Sequence, residues 1–177
     1  MKYANLILTA ALMCTSFTAT ADSRFSVGTR LGSADLSADF DGFNFDASDR
    51  TASLYGAWHP SDNLSLEVGY QTFGEFTEVA GATTARIKAD GFTLGVRGVL
   101  PLSQRFSLEG RLGSFFWDGN ASINDVTQAT PSDTNLFLGG GAAWQLNDTF
   151  SLTASWTRFN LDDADVDVLS AGVELRF

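Results

Sequence analysis

Residues 105–117, RFSLEGRLGSFFW, alternate between two kinds of side chain, and this alternation constrains the fold more than any other feature of the chain. Every second residue from Phe106 to Phe116 is apolar or small, whereas Glu109 and Arg111 fall on the other face. A period of two is typical of a strand between two different environments. In a soluble sandwich the apolar face would lie in a core, whereas in a membrane barrel it faces lipid and the polar face lies inside.

The same pattern restarts three times, in NLSLEVGY from Asn63, RFSLEGRL from Arg105 and TFSLTASW from Thr149. Another alternating run precedes each restart, and the two runs are joined by a compact turn. The turns fall at 59–63, 101–104 and 146–148. These segments predict strand–turn–strand hairpins that recur at a spacing of about 40 residues.

The other connections are longer and rich in Asp, Ala, Gly, Thr and Asn. They fall at 34–50, 74–87 and 118–134, with a shorter link at 159–166. A first strand near 24–33 and a last strand over about 167–177 bring the count to eight. Short turns at one end and long connections at the other are the layout of an outer-membrane barrel, whose short turns lie in the periplasm. The sequence therefore predicts an all-β fold, an eight-stranded antiparallel up-and-down transmembrane β-barrel.

Charges on the polar face of the predicted strands balance, with three arginines and three glutamates. They are Arg30, Glu67, Arg97, Glu109, Arg111 and Glu174. A buried charge is tolerated only when it is paired, so these six residues predict an ion-pair network in a closed lumen. The large residues Tyr55, Phe115 and Phe137 share this face, which indicates a filled interior, as expected of eight strands.

Aromatic residues of the apolar face gather beside the predicted turns. They are Trp58, Phe106, Trp144, Phe150 and Phe177. Such rings favour the membrane–water boundary, so we expect an aromatic girdle at the periplasmic rim. In the last strand the alternation slips above Leu169, which predicts a bulge or the membrane edge there.

The N-terminal residues 1–21 read as a cleaved signal peptide, with Lys2, an apolar run from Leu6 to Met13 and a small-residue exit. Residues 22–177 then form the barrel domain. Loss of Lys2 takes the formal charge from −10 to −11, which argues against nucleic acid as a partner. No run of eighteen apolar residues is present, which excludes a transmembrane helix.

Taken together, these segments resemble the transmembrane barrel domain of the outer-membrane protein A (OmpA) family. The resemblance is carried by GTRLG at 28–32, SLYGAWHPSDNLSLEVGY at 53–70, GFTLGVRGVLPLSQRFSLEGRLGSFFW at 91–117, GGGAAWQLNDTFSLTASW and the terminal LRF. It implies an eight-stranded barrel in the outer membrane, a lumen blocked by ion pairs, and surface loops that meet other cells, phage or host. A chain that ends on an outward Phe also resembles the signal by which the barrel-assembly machinery recognises such proteins, so we expect that partner through Phe177.

Two departures from the family pattern affect these expectations. Many members carry a peptidoglycan-binding domain after the barrel, and because this sequence stops at Phe177 we expect no cell-wall link by that route. The family pairs a third-strand glutamate, matched by Glu67, with an arginine whose position is Thr153 here. Glu67 must then use Arg30, Arg97 or Arg111.

Few residues point to catalysis. His59, the single histidine, adjoins a predicted periplasmic turn, at the wrong end for an enzyme that modifies lipopolysaccharide. The acids of 35–49 predict a solvated surface bridged to lipopolysaccharide phosphates, with a specific calcium loop as the less favoured alternative. We therefore expect a non-enzymatic barrel with no cofactor or metal, which supports the envelope and binds an unknown ligand through its loops. The alternatives are a narrow channel for small or apolar solutes and, third, a lipopolysaccharide-modifying enzyme.

Overall fold

The computed structural model describes residues 24–40, 43–80, 83–123, 126–129, 132–161 and 164–177, and within these it gives no side-chain detail for 37–40, 43–47, 75–80, 83–87, 120–123, 126–129 and 164. The predicted signal peptide, residues 1–21, lies outside the described residues and stays a prediction.

The described residues form nine strands and no helix. The strands are β1 (Phe25–Phe40), β2 (Phe43–Ser61), β3 (Leu64–Ala80), β4 (Thr83–Pro101), β5 (Phe106–Ile123), β6 (Val126–Ala129), β7 (Ser132–Gln145), β8 (Phe150–Leu161) and β9 (Ala164–Arg176). Eight of them pair antiparallel in the order β4-β3-β2-β1-β9-β8-β7-β5, and the β4–β5 pairing closes the ring. The short β6 pairs with the end of β5. The predicted eight-stranded antiparallel barrel is therefore confirmed.

The strands are staggered around the ring. Cα partners followed once around the barrel from Phe25 return to β1 at Asp35, ten residues further along the chain. The path runs through Trp58, Leu66, Val96, Leu112, Leu138, Arg158 and Asp167. A stagger of this size requires strands tilted by about 45°, and eight strands enclose a space just wide enough for side chains.

Strands replace most of the long loops predicted at 34–50, 74–87, 118–134 and 159–166. The β1–β2 ladder continues to Phe40↔Phe43, and the β3–β4 ladder continues to Ala80↔Thr83. The prediction was wrong because it treated a loss of apolar alternation as the end of a strand. A two-stranded ladder in water keeps its backbone hydrogen bonds and needs no apolar outer face. We call the end of the barrel to which these β1–β2 and β3–β4 ladders extend the hairpin end. The connections at 62–63, 102–105 and 146–149 form the turn end.

The outer surface is apolar over one continuous band. On β5 the band runs from Phe106 to Phe116, and ten steps of about 3.4 Å at a tilt of about 45° span about 24 Å, close to the apolar height of an outer-membrane barrel. Large apolar side chains in this band are exposed on every barrel strand, for example Leu31, Phe92 and Leu136 at about 60%. The apolar face therefore lies outside, as expected of a membrane barrel and opposite to the arrangement in a soluble sandwich.

Above this band the polarity of the two faces is exchanged. Val166 and Val168 are buried inside the barrel, while Asp167 between them lies outside and contacts Arg158. The β8–β9 and β1–β9 ladders run through this region without a register shift, so the predicted bulge is absent and the alternative, the membrane edge, fits. An apolar interior with charges outside is the arrangement of a protein in water, so the barrel rises out of the membrane here.

A bulge in β3 interrupts the β3–β4 ladder near the hairpin end. Gly74 has φ = 77°, and the β3–β4 register shifts between Thr72 and Glu75. The β2–β3 ladder ends at Ala52↔Thr72, directly before this bulge. Glycine is suited to this position because residues with a side chain rarely adopt this left-handed backbone conformation. A Cβ added at Gly74 would also lie 2.7 Å from the Arg50 carbonyl oxygen.

Candidate functional site

The barrel interior is the first candidate site, and its central pair is Arg30 of β1 and Glu67 of β3. Two guanidinium nitrogens of Arg30 donate to the two carboxylate oxygens of Glu67, each at 3.0 Å. Both side chains are buried, and the Arg30 guanidinium lies 3.6 Å from the centroid of the Tyr55 ring. This bidentate geometry is the strongest form of an arginine–carboxylate contact, and the ring covers the cation from one side.

The second pair joins Arg97 of β4 to Glu174 of β9, across the barrel from each other. Arg97 donates to Glu174 at 2.5 and 3.1 Å, and its Nε donates to Ser65 Oγ at 3.0 Å. The Tyr55 hydroxyl donates to Glu174 at 2.8 Å. Tyr55 thus touches both pairs, by a hydrogen bond to Glu174 and by its face on Arg30.

Glu109 and Arg111 of β5 are held more loosely. Glu109 approaches Arg97 at 3.6 Å, and Arg111 approaches Glu67 at 3.7 Å while donating to Thr157 Oγ1 at 2.8 Å. The structure thus brings all six predicted charges into one neutral group. Of the three candidates left open for Glu67, Arg30 is the bidentate partner, and Arg97 and Arg111 lie within 4 Å. Sequence reasoning missed Ser65 and Thr157, since a small hydroxyl on the inner face carries no distinguishing pattern.

An apolar plug fills the interior between the charges and the hairpin end. The core of the plug is formed by four phenylalanines, Phe73, Phe115, Phe137 and Phe159. The ring of Phe159 contacts the other three at ring-centroid distances of 5.0 to 5.5 Å. Gly113 makes room for Phe137, whose ring lies 2.7 Å from where a Cβ of Gly113 would stand. The burial of Tyr55, Phe115 and Phe137 confirms the predicted filled interior, whereas Phe73 and Phe159 were not predicted because they lie outside the apolar band.

A small cavity separates the charged layer from the plug. Arg30, Glu67 and Arg111 line it on one side and Phe137 and Phe159 on the other. It encloses about 20 Å³, which is room for one water molecule. The two layers therefore obstruct the lumen in succession.

The turn end holds the single histidine and the aromatic residues. His59 is buried inside the barrel, where its Nε2 lies 2.9 Å from Ser26 Oγ and 4.0 Å from a Glu174 oxygen. In a catalytic triad the acid contacts the other ring nitrogen, so these contacts do not form one. The predicted girdle residues Trp58, Phe106, Trp144 and Phe150 are exposed on the outer face beside the turns, and Phe177 is half-buried.

The hairpin end carries the second candidate site, an acidic surface. Segments 33–50, 72–90, 117–135 and 157–168 hold fifteen Asp and Glu against four Lys and Arg, a net charge of −11. This equals the whole charge of residues 22–177, so the rest of the barrel is neutral. One arginine is paired on the outside, where Arg158 donates to Asp167 at 2.6 and 2.9 Å and the hydrogen bond lowers the pKa of that carboxyl.

Side chains of Asp39, Asp41 and Asp46, and of the neighbouring Phe40, Phe43 and Phe45, lie outside the described part of the chain. In the side chains that are described, no group of three or more His, Cys, Asp or Glu stands ready to hold a metal ion. No helix among the described residues is long and apolar enough to cross a membrane.

A closed antiparallel barrel with an apolar outer band and a polar interior defines the class of transmembrane β-barrels. Residues 5–177 match the family model described as "Outer membrane protein beta-barrel domain". The chain belongs to this family, and it is an outer-membrane protein with an OmpA-like barrel. The turn end accordingly lies in the periplasm and the hairpin end outside the cell.

Three solved structures share this fold with the chain at 20% sequence identity or less. Neisserial surface protein A is 14% identical with a TM-score of 0.67, and the match covers 86% of this chain and 97% of that one. The N-terminal β-barrel domain of Pseudomonas aeruginosa OprF is 11% identical with a TM-score of 0.61, covering 88% and 98%. Ail, the attachment invasion locus protein of Yersinia pestis, solved with the heparin analogue sucrose octasulfate, is 20% identical with a TM-score of 0.59, covering 87% and 99%. No protein of curated function matches the chain significantly.

Proposed function

We propose that this protein is a non-enzymatic, non-conducting outer-membrane barrel that supports the envelope and binds partners through its hairpin end. The observation that carries the proposal is the double obstruction of the lumen. Three arginines and three glutamates fill one layer, and four phenylalanines fill the next. A channel for small or apolar solutes would need a continuous path, and the buried side chains of both layers lie across that path.

Charge distribution supports binding at the hairpin end. All of the net charge of residues 22–177 belongs to the four sequence segments of the hairpin end. Binding sites concentrate on exposed connections held by a rigid scaffold. The attachment protein of Yersinia pestis has the same fold, which makes adhesion a reasonable form of this function.

Two further partners belong to the proposal. Lipopolysaccharide surrounds the outer-leaflet part of the barrel, where the outward acids would meet its phosphates through divalent ions. The barrel-assembly machinery would recognise Phe177, whose backbone exchanges two hydrogen bonds with Phe25 at 2.9 and 3.1 Å and so lies where the first and last strands meet. A Phe177→Ala variant should assemble more slowly in the presence of that machinery.

Conductance in a planar bilayer tests the proposal. The protein should give no steady channel steps once its folded state is shown by a different gel mobility before and after boiling. A positive control is the double variant Arg111→Ala/Phe159→Ala, which removes one cation from the charged layer and the central ring from the plug and passes through the same gel test of folding. Reproducible steps from the unaltered protein would refute the closed lumen and favour the channel.

The same preparation tests the absence of enzymatic activity. His59 is buried beside Ser26 at the periplasmic end, so His59→Ala should leave lipopolysaccharide and phospholipid unmodified to the same extent as the parent. Lipid deacylation by the parent that His59→Ala abolishes would establish an enzyme instead.

A further inference from the structure

We propose that the hairpin end binds an extended, positively charged peptide segment, which adds as a strand at the diverging edges of β2 and β3. This inference rests on the proposed function, because it names the class of partner that the hairpin end binds.

Backbone pairing shows where the two edges open. From Ala52↔Thr72 towards the turn end, β2 and β3 form a regular ladder. Beyond that point β2 pairs with β1 and β3 pairs with β4, and among the described residues no ladder joins 43–48 of β2 to 75–80 of β3. Each strand therefore presents one edge of backbone N–H and C=O groups, which is a template for another strand.

The opening begins at a fixed point. Gly74 still lies against β2, because a Cβ at this position would stand 2.5 Å from an Asp49 carboxylate oxygen. The bulge between Thr72 and Glu75 then redirects β3 away from β2. A tightly packed bulge at the base makes the divergence a built feature of the sheet, since a bulge bends its strand and changes the direction of the residues beyond it.

The charge of the two edge segments determines which kind of peptide can bind there. The β3 edge carries Glu75 and Glu78 and no basic residue, and 43–48 of β2 carries Asp46 and no basic residue. The four segments of the hairpin end carry a net charge of −11, a count that already includes Arg50, Arg86 and Lys88. This excess of acids favours a peptide rich in Lys or Arg and repels an acidic one. Pairing of the backbone would supply affinity that is independent of side-chain identity, and charge would supply selectivity.

The test uses the refolded full chain in nanodiscs of zwitterionic lipid, which hold no lipopolysaccharide. The probe is a fluorescein-labelled peptide of about ten residues that alternates Lys and Val, a length that matches an ordinary strand. A peptide alternating Lys and Pro has the same charge but lacks half of the backbone donors, and a peptide alternating Glu and Val has the opposite charge. We expect anisotropy to show binding of the Lys–Val peptide at least tenfold tighter than either control, weakened at least tenfold between about 50 and about 500 mM salt.

A matched pair of variants locates the site. The double variant Glu75→Gln/Glu78→Gln should weaken Lys–Val binding at least threefold, whereas Asp118→Asn/Asp133→Asn removes the same charge from the β5–β7 side and should leave it nearly unchanged. Hydrogen exchange should show new protection of backbone amides in 43–48 and 75–80 when the peptide is bound.

Several outcomes would overturn the inference. Equal affinity for the Lys–Val and Lys–Pro peptides would mean that charge acts without strand addition. Equal effects of the two double variants, or unprotected edge amides, would place the binding elsewhere. Absence of peptide binding by a barrel that is silent in the bilayer would refute this inference alone, whereas channel steps would refute the proposed function.

Discussion

Glu67→Ala is the perturbation that most directly probes the closed interior. The substitution removes both hydrogen bonds to Arg30 and the longer contacts with Arg97 and Arg111. Three buried arginines then face two glutamates, so the interior holds one uncompensated positive charge. Breaking a buried ion pair by removing one partner costs about 3–5 kcal/mol of unfolding free energy.

A double variant separates the unpaired charge from the loss of packing. Arg30→Leu combined with Glu67→Leu leaves Arg97, Arg111, Glu109 and Glu174, a neutral group. Replacing both members of a buried pair by apolar residues is often close to neutral, so the double variant should stay within about 1–2 kcal/mol of the parent.

The measurement is urea unfolding of the refolded barrel in lipid vesicles, monitored by tryptophan fluorescence. With a slope of about 1–3 kcal/mol per molar urea, the single substitution should lower the midpoint by about 1–5 M and the double variant by less. If Glu67→Ala unfolds at the parent's midpoint, water reaches Arg30 and the interior is not closed at this layer.

The packing and charge of the barrel lead to three further expected outcomes. Phe159→Ala should cost about 3–5 kcal/mol in the same urea assay, because it leaves three rings of the plug without their shared neighbour; a loss below about 1 kcal/mol would mean that the plug is loosely packed. Gly74→Ala should destabilise the barrel by about 1 kcal/mol or more, since it has φ = 77° and meets the Arg50 carbonyl, whereas Gly98→Ala, with nothing within 4 Å, should be nearly neutral. The pKa of Asp167 is lowered by its hydrogen bond from Arg158, so the pair stabilises the fold above the ordinary aspartate range and this contribution is lost as pH falls through the lowered value. A carbon-detected NMR titration should place the Asp167 transition lower in the parent than in an Arg158→Gln variant, and identical transitions would contradict the pairing.

The sequence alone predicted the strands, and which face of each strand points outward, wherever the outer surface of the barrel meets lipid. Alternation from Phe106 to Phe116 defines which residues point outward, because side chains alternate with period two and a shift of one residue would expose Glu109 and Arg111 to hydrocarbon. The same argument placed all six interior charges on one face. Where the barrel leaves the membrane the polarity of the two faces is exchanged, so the valines of β9 point inward and Asp167 points outward. The alternation alone therefore predicts an irregularity in β9 and strands that are too short.

Tertiary structure decided which charge meets which. Arg30, Arg97 and Arg111 share the inner face with Glu67, and neither their order nor their spacing along the chain distinguishes them as its partners. Their distances depend on the stagger of ten residues around the ring, which brings strands distant in sequence to the same height. Pairing across a closed barrel is a property of the ring as a whole, and so are the phenylalanine plug above the charges and the open edges of β2 and β3, because local alternation carries no information about what lies opposite.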